Sequence, residues 1–253
     1  MHYLYDGSLT GLFTTFQHIL ETNIQPNSIC REYQFTPSLF EESQTIRTDE
    51  TASTKVWERI HRLGGRLMFR NLGLVFLSEM PDFEMKIYTY LCLAIANGKD
   101  PVDQIQHPGV KACHSIWQRV LREVHKLKGF LRFEELEDGL LWATYAPDAN
   151  ISCMLAPYFA RRMSNEKFMI CDVKRGIGFY YNREEVEEVI IEESILKRLR
   201  INPSLRNTPD IYAQLWRHYF EEIAITERLN PKLQMSLMPK KYWGFLTEKM
   251  GKF

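Results

Sequence analysis

Apolar residues recur every three to four positions through most of the first half of the chain, which is the pattern of amphipathic helices. Asp6-Gly7-Ser8 predicts a turn and N-cap before the first helix, whose apolar positions are Leu9, Leu12, Phe13, Phe16, Ile19 and Leu20. The same spacing predicts a second helix from Ala52 to Leu63, ended by Gly64-Gly65, and a third that ends near Ser78. A short strand is predicted near Thr45–Arg47.

Two more helices are predicted from the same spacing of apolar residues, every three to four positions. The fourth begins between Ser78 and Pro81 and ends at Gly98. The fifth is longer, because it opens at His107-Pro108 and its apolar face continues to Gly129. Residues 1–129 are therefore predicted to be mainly helical.

The hydrophobic period changes to two in residues 130–182, which indicates strands. Phe130–Leu136 and Leu140–Ala146 alternate around Glu137-Asp138-Gly139, and a second predicted hairpin joins Lys167–Val173 to Ile177–Asn182. A short helix over Ser152–Arg162 separates the two hairpins. The region predicts a ββαββ segment, with one antiparallel sheet and a helix on one face.

The last part of the chain returns to helix after an acidic stretch from Glu184 to Glu193. Thr208-Pro209-Asp210 predicts a helix N-cap, Asn230-Pro231 predicts the end of that helix, and a final segment starts at Pro239. Helices before and after a central sheet favour the α+β class. We predict a single compact domain over residues 1–253, with helical parts at 1–129 and 183–253 around the sheet at 130–182.

Composition adds few functional constraints. The 253 residues are 45% hydrophobic, which is ordinary for a globular protein. The 32 basic and 32 acidic side chains give no net charge, which argues against a protein that coats nucleic acid non-specifically. No apolar run approaches the roughly 20 residues that span a bilayer, and the N-terminus does not resemble a signal peptide. Five cysteines occur without a C-x-x-C pair, which predicts reduced thiols in the cytoplasm and no iron–sulfur cluster.

The sequence contains none of the familiar catalytic motifs. It has no phosphate loop, no G-x-G-x-x-G, no G-x-S-x-G, no H-E-x-x-H and no zinc-deaminase signature. Its seven histidines show no metal spacing, so we predict neither a metal nor a cofactor. Glu134 and Asp148 are weak candidates for a catalytic acid or base, and a helix cap or an ion pair is the more ordinary role for each.

Basic residues are concentrated in the fifth helix and its surroundings. Lys111 to Phe133 contains six basic side chains and the single acid Glu123. Arg119, Arg122 and Lys126 are spaced three and four apart, which places them on one exposed helix face, and Arg132 follows on the next strand. A second basic cluster contains Arg161, Arg162, Lys174 and Arg175. These side chains predict phosphate contacts, with a solvated basic surface as the ordinary alternative.

Five segments in order resemble a bacterial family described as DNA metabolism or DNA repair proteins, the domain-of-unknown-function 4130 family. The segments are YDGSLTGLF, FLSEMPDFE, RVLREVHKLKGFLRFEELEDGLLWATYAPDANISCMLAPYFARR, MICDVKRGIGFYY and IAITERLNPKLQMSLMPKKYW. The resemblance implies a gene neighbour that is a radical-SAM protein of DNA modification or repair. In some members of the family this domain is joined to a uracil-DNA-glycosylase-like domain, and the given sequence resembles the stand-alone form. It has no C-x-x-x-C-x-x-C motif, so the resemblance implies that it is the partner of the radical-SAM enzyme.

Three functional hypotheses follow. The first is an accessory protein that binds DNA, single-stranded or damaged, or a radical-SAM partner, or both. The second is an enzyme that acts on a damaged base or nucleotide through Asp148 or Glu134. The third is a scaffold that contacts its partner through Tyr242, Trp243 and the acidic stretch 184–193, with both aromatic side chains exposed.

Overall fold

The computed structural model describes residues 1–37, 41–136, 139–201, 211–223 and 230–249. The chain forms two compact units, which contain residues 1–121 and 122–253, so that the boundary falls inside the fifth predicted helix. The α+β class predicted from the sequence is confirmed, since helices dominate and two small sheets are present. A single compact domain over the whole chain stays a prediction.

The N-terminal unit contains a parallel sheet that the sequence did not predict in full. Strand β1 (His2–Tyr5) is central, between β2 (Ser28–Arg31) and β3 (Ser43–Thr45), and it is parallel to both. Helix α1 (Leu9–Thr22) connects β1 to β2, as a parallel pair requires. The predicted strand near residue 45 is confirmed with shifted bounds, whereas β1 and β2 are too short to show a clear alternation.

The local signals for the first helices are confirmed. The Ser8 side chain caps α1 by accepting from the Gly11 amide at 2.9 Å, and the predicted apolar positions Leu12, Phe13, Phe16 and Ile19 are buried. Helix α3 (Phe83–Asn97) ends at Gly98, which has a φ of 66°. Helix α4 (Pro108–Phe130) begins and ends within one residue of the prediction.

Helix α2 (Glu50–Leu77) contains both the second and the third predicted helix. Its helical path is interrupted at Gly65, where φ is 62° and ψ is −155°. Twelve residues of straight helix span about 18 Å, yet the ring centroids of Trp57 and Phe69 are only 6.5 Å apart. The chain therefore bends sharply at the glycine pair that the sequence marked as a helix end.

The C-terminal unit is built around a five-stranded sheet of order β4-β5-β6-β7-β8. The strands are β4 (Glu134–Glu135), β5 (Leu141–Tyr145), β6 (Phe168–Asp172), β7 (Ile177–Tyr181) and β8 (Val186–Ile190). Both predicted hairpins pair as antiparallel strands. Residues 137 and 138, in the first predicted turn, lie outside the described residues.

The prediction of a wholly antiparallel sheet is wrong at its centre, because β5 and β6 are parallel. Helix α5 (Ser152–Arg162) lies between them in sequence. Two adjacent strands joined through a helix run in the same direction when the helix returns the chain to the starting end of the sheet. The sheet is therefore mixed, with the predicted helix as the crossover.

The acidic stretch supplies an edge strand that the sequence analysis missed. Strand β8 carries Glu187 and Glu188, both exposed, and it pairs with β7. Exposed charges on an edge strand oppose pairing with another chain. The acidic residues of β8 therefore have a structural role, which is to protect the edge of the sheet from pairing with another chain.

In the part of the chain after the sheet that the structure describes, the α-helices are α6 (Glu193–Ile201), α7 (Ile211–Glu222) and α8 (Pro231–Leu237). The predicted cap at Thr208-Pro209-Asp210 lies outside the described residues. The prediction that the preceding helix ends at Asn230-Pro231 is wrong, because α7 ends at Glu222 and Asn230 is the N-cap of α8, with its side chain accepting from the Leu233 amide at 3.0 Å. The final predicted segment is a 3₁₀ helix, Lys240–Phe245. Among the described residues no helix is both long and apolar enough to cross a membrane.

The bend in α2 generates a prediction with a matched control in the same helix. Gly65→Ala should lower the free energy of unfolding by about 1–3 kcal/mol, because only glycine adopts this φ and ψ without strain. Gly73→Ala, where φ is not positive, should be neutral or stabilising by up to about 1 kcal/mol. An added Cβ meets no atom within 4 Å at either position, so neither substitution introduces a steric clash. The difference in free energy of unfolding between the two variants, measured by urea denaturation, therefore reports on backbone conformation. Equal changes in the free energy of unfolding for Gly65→Ala and Gly73→Ala would contradict the bend at Gly65.

Candidate nucleic-acid interface

Arg132, a predicted phosphate-binding residue, is paired with a buried carboxylate. Its Nη2 and Nε donate to the two oxygens of Glu248 at 2.7 and 3.2 Å. Glu248 is 2% exposed and also accepts from Trp216 Nε1 at 3.1 Å. Burial alone would raise the pKa of Glu248, but the hydrogen bonds and charge of Arg132 outweigh it, so the pKa lies below its usual value. Arg132 thus serves to neutralise Glu248.

Arg175 is paired in the same way in the turn between β6 and β7. Its Nη1 lies 2.7 Å from Oδ2 of Asp172, a carboxylate that is fully buried. The other oxygen, Oδ1, accepts from the backbone amides of Lys174 and Arg175. Burial raises the pKa of Asp172, and the hydrogen bonds and charge of Arg175 only partly offset that rise. The predicted phosphate contact of Arg175 is therefore replaced by an internal ion pair.

Glu123, the one acid in the basic stretch, is the centre of a third buried network. It is 7% exposed and lies on α4. Its carboxylate accepts from the amides of Asp148 and Ala149 at 2.8 and 3.0 Å. It also accepts from the Tyr242 hydroxyl at 2.6 Å and from Lys241 Nζ at 3.2 Å. These bonds join α4, the loop after β5 and the C-terminal 3₁₀ helix.

Asp148, the first of the two catalytic candidates, belongs to this network. Its Oδ2 lies 2.6 Å from Lys241 Nζ. Its backbone carbonyl accepts from Lys174 Nζ at 3.1 Å and from Arg175 Nη2 at 2.7 Å. The sequence-predicted residues Asp148, Lys174 and Arg175 are thus brought together, but around a loop held by buried carboxylates. The arrangement has the contacts of a structural ion-pair network, with the Asp148 side chain at its exposed edge.

Glu134, the second catalytic candidate, is placed elsewhere. It lies on β4 opposite Trp142 of β5 and is half-buried. The contacts described for Glu134 belong to the sheet, whereas those of Asp148 hold the loop after β5.

The predicted basic face of α4 is present. Arg119 and Arg122 are exposed, and Lys126 is half-buried. At 3.6 residues per turn the three positions fall within an arc of about 60°. Lys126 Nζ donates to the Ser236 carbonyl of α8 at 3.3 Å. Its cation is therefore used in part to hold α8.

A different group of cations surrounds Tyr158, and we call Lys128, Tyr158, Arg161 and Arg162 the Tyr158 cluster. Lys128 Nζ lies 4.5 Å from the centroid of the Tyr158 ring. Arg162 Nη1 donates to the Tyr158 hydroxyl at 3.2 Å. Arg161 and Arg162 are exposed in the last turn of α5, where cations also favour the helix dipole. Within the described residues, neither Lys128 nor Arg162 has a carboxylate at ion-pairing distance.

The Tyr158 cluster is separate from the basic face of α4. Lys128 is two residues from Lys126, so it points about 160° away around the helix. The predicted phosphate-binding residues consequently do not form one surface. Arg132 and Arg175 are paired with buried carboxylates, and Lys174 bonds to the Asp148 loop. Arg119, Arg122 and Lys126 lie on one side of α4, whereas Arg161 and Arg162 lie on α5 in the Tyr158 cluster.

The predicted exposure of Tyr242 is wrong. Tyr242 is 3% exposed, because its ring packs at 5.6 Å from that of Phe130 and its hydroxyl binds Glu123. Trp243 is half-buried, and its Nε1 donates to the Met238 carbonyl at 2.9 Å. Lys240 and Lys249 lie 5.7 and 5.0 Å from the Trp243 ring. Of these two aromatic side chains, Trp243 is the more exposed.

Sequence reasoning missed Glu123, Lys241 and Tyr158 as organising residues. One signal for Glu123 was present, because it lies three residues after Val120 and four before Leu127, both on the apolar face of α4. Its partners Lys241 and Tyr242 are more than a hundred residues away, and no local pattern connects them.

Comparison with known families now places the chain. A family model described as a domain of unknown function, DUF4130, matches residues 81–248. The chain belongs to this family. The DUF4130 match includes α4, α5, the five-stranded sheet and every residue of the three buried networks. No curated protein matches the sequence.

The Arg132–Glu248 pair predicts a pH dependence of stability. Because the folded pKa of Glu248 is depressed, its stabilisation is present above about pH 4.3, the unfolded value, and is lost as pH falls through the folded pKa. Glu248→Gln should lower the free energy of unfolding near neutral pH by about 1.5–3 kcal/mol. The difference in free energy of unfolding between wild type and Glu248→Gln should become smaller as the pH is lowered from 5 towards 3.

Chemical denaturation at several pH values measures that difference. Glu166→Gln is the matched control, because Glu166 is an exposed glutamate of the same unit. This substitution should change the free energy of unfolding at neutral pH by no more than about 0.5 kcal/mol. A Glu248→Gln difference that stays constant over the same range contradicts the depressed pKa.

Proposed function

We propose that this protein is an accessory protein of DNA metabolism that binds nucleic acid through the Tyr158 cluster. The observation that carries the proposal is the meeting of two cations at one aromatic ring, with Lys128 4.5 Å from the ring centroid and Arg162 bonded to the hydroxyl. Cations bind phosphates, and a neighbouring ring can stack a base. The resemblance to DNA metabolism proteins supports the same class of ligand.

Charge distribution supports the choice of this cluster over the other basic residues. The chain has no net charge, so binding depends on a local group of cations. Arg132 and Arg175 are neutralised by Glu248 and Asp172. Lys126 is bonded to a backbone carbonyl of α8. Lys128 and Arg162 combine solvent access with contact to the half-buried ring of Tyr158, and exposed Arg161 is adjacent in α5. Lys240 and Lys249 make a similar arrangement at Trp243.

A radical-SAM protein of DNA modification or repair is the proposed partner. The resemblance alone supports that part of the proposal. Of Tyr242 and Trp243, the two aromatic residues predicted to contact a partner, Trp243 is half-buried and the more exposed. Lys240 and Lys249 lie beside its ring. Co-purification of the two proteins is the corresponding assay.

A catalytic function for Asp148 is the second candidate. Its carboxylate lies 2.6 Å from Lys241 Nζ, and this pair is supported by buried Glu123. The same contacts are explained by a role in holding the loop after β5, since Glu123 binds the backbone of that loop. We therefore favour the binding function over base chemistry.

Binding to DNA across a salt series tests the proposal. Fluorescence anisotropy with a labelled single strand should show binding. The logarithm of the binding constant should fall linearly with the logarithm of the salt concentration between about 50 and 200 mM. The double variant Lys128→Ala/Arg162→Ala should bind more weakly. If each cation contacts one phosphate, the slope of log K against log salt should fall by about 1.4 for a single strand.

The control for this experiment removes the same charge elsewhere. Lys167→Ala/Lys232→Ala replaces two exposed lysines of the C-terminal unit and should leave the salt slope unchanged. No binding by wild type at low salt would overturn the proposal. A Lys128→Ala/Arg162→Ala variant that behaves like the control would also overturn it.

A further inference from the structure

A pocket of about 300 Å³ lies in the N-terminal unit, outside the residues that match the family model. It is formed by the first turns of α1 and the first half of α2, and Phe69 after the bend completes it. The volume is at the lower end of the range for ligand sites, which suits one small ring system. Its lining residues are Leu9, Thr10, Phe13, Glu50, Ser53, Thr54, Trp57 and Phe69.

One wall of the pocket is aromatic and partly open to solvent. Trp57 is 43% exposed, an unusual position for a large aromatic side chain. Its ring centroid lies 4.1 Å from that of His61 and 6.5 Å from that of Phe69. The bend at Gly65 makes the second contact possible. The indole is therefore supported on its inner side and accessible at the pocket.

Polar groups occupy another part of the lining. Ser53 is 9% exposed, and its hydroxyl has no hydrogen-bond partner among the described residues. Glu50 is exposed in the first turn of α2, where a carboxylate is favoured by the helix dipole. Thr54 donates to the Glu50 carbonyl at 2.8 Å, so its hydroxyl is already engaged. A carboxylate acceptor and a hydroxyl are thus available to a ligand.

The charges of the lining indicate which part of a nucleotide it can hold. The eight lining residues include one carboxylate and no lysine or arginine, so the pocket does not provide for a phosphate. A flat aromatic surface and a carboxylate in the same lining suit a planar ring that carries an amino group at its edge. Exocyclic amines of nucleobases are such donors, and a glutamate accepts from them.

We infer that this pocket binds an unpaired nucleobase that has an exocyclic amine. The base stacks on Trp57, and its amine donates to the Glu50 carboxylate, with the Ser53 hydroxyl at a second edge position. The choice of a nucleobase as the ligand rests on the proposed function. The pocket itself belongs to the N-terminal unit and takes no residue from the Tyr158 cluster.

Titration with free nucleosides tests the inference, because they have a base and no phosphate. Saturation-transfer NMR with cytidine, adenosine and guanosine should show saturable binding, and uridine and thymidine should bind several-fold more weakly. Binding should not change with salt, since the ligands are uncharged. If the proposal for the Tyr158 cluster fails, oligonucleotide binding is absent or does not depend on salt. That outcome leaves the nucleoside titration of the N-terminal pocket unaffected.

Two substitutions address the two recognition elements. Trp57→Ala should weaken cytidine binding roughly tenfold through loss of stacking, and Trp57→Phe should restore part of it. Glu50→Gln should reduce the preference for cytidine over uridine. Leu67→Ala is the control, because Leu67 is an exposed apolar residue of α2 outside the pocket lining.

Three outcomes would overturn the inference. They are absence of saturable nucleoside binding, equal binding by Trp57→Ala and wild type, and equal affinity for uridine and cytidine in wild type. Each variant is first compared with wild type by thermal denaturation. Both substituted side chains are exposed, and we expect the fold to tolerate their replacement.

Discussion

A carboxylate removed from water is the constraint on which the C-terminal unit depends. Burial of an ionised group costs several kcal/mol unless donors replace the lost water. Glu123 meets this requirement with two backbone amides, a tyrosine hydroxyl and a lysine ammonium. The donors come from the loop after β5 and from the 3₁₀ helix near the end of the chain. One side chain of α4 therefore fixes two distant segments at once.

The same requirement divides the basic residues by role. Asp172 and Glu248 are buried like Glu123, and each takes an arginine from the group that the sequence marked as phosphate-binding. Once these internal pairs are formed, the remaining cations lie on different sides of α4. The side that carries Lys128 faces Tyr158 of α5, where charge and an aromatic ring are combined. Neutral net charge and a local cationic site are thus compatible in one chain.

Local signals in the sequence identified much of the fold but not how the parts are connected. The caps at Ser8 and Gly98 and the glycine pair at 64–65 are confirmed, because each acts through a few neighbouring residues. The parallel pairing of β5 with β6 and the burial of Tyr242 were missed, since both depend on segments far apart in the chain. For the site, the sequence could not show which carboxylates bind Arg132 and Arg175, because Glu248 is more than a hundred residues from Arg132 and no helix or strand pattern marks Asp172 as the partner of Arg175.

Hydrogen exchange at the Asp148 and Ala149 amides tests the role of Glu123 most directly. Both amides donate to its carboxylate, at 2.8 and 3.0 Å. In Glu123→Gln the account predicts exchange at these two amides at least about tenfold faster than in wild type, since a hydrogen bond to a charged group contributes about 1.5–3 kcal/mol. The Ile170 amide of β6 should keep its protection. Unchanged exchange at Asp148 and Ala149 would contradict the account.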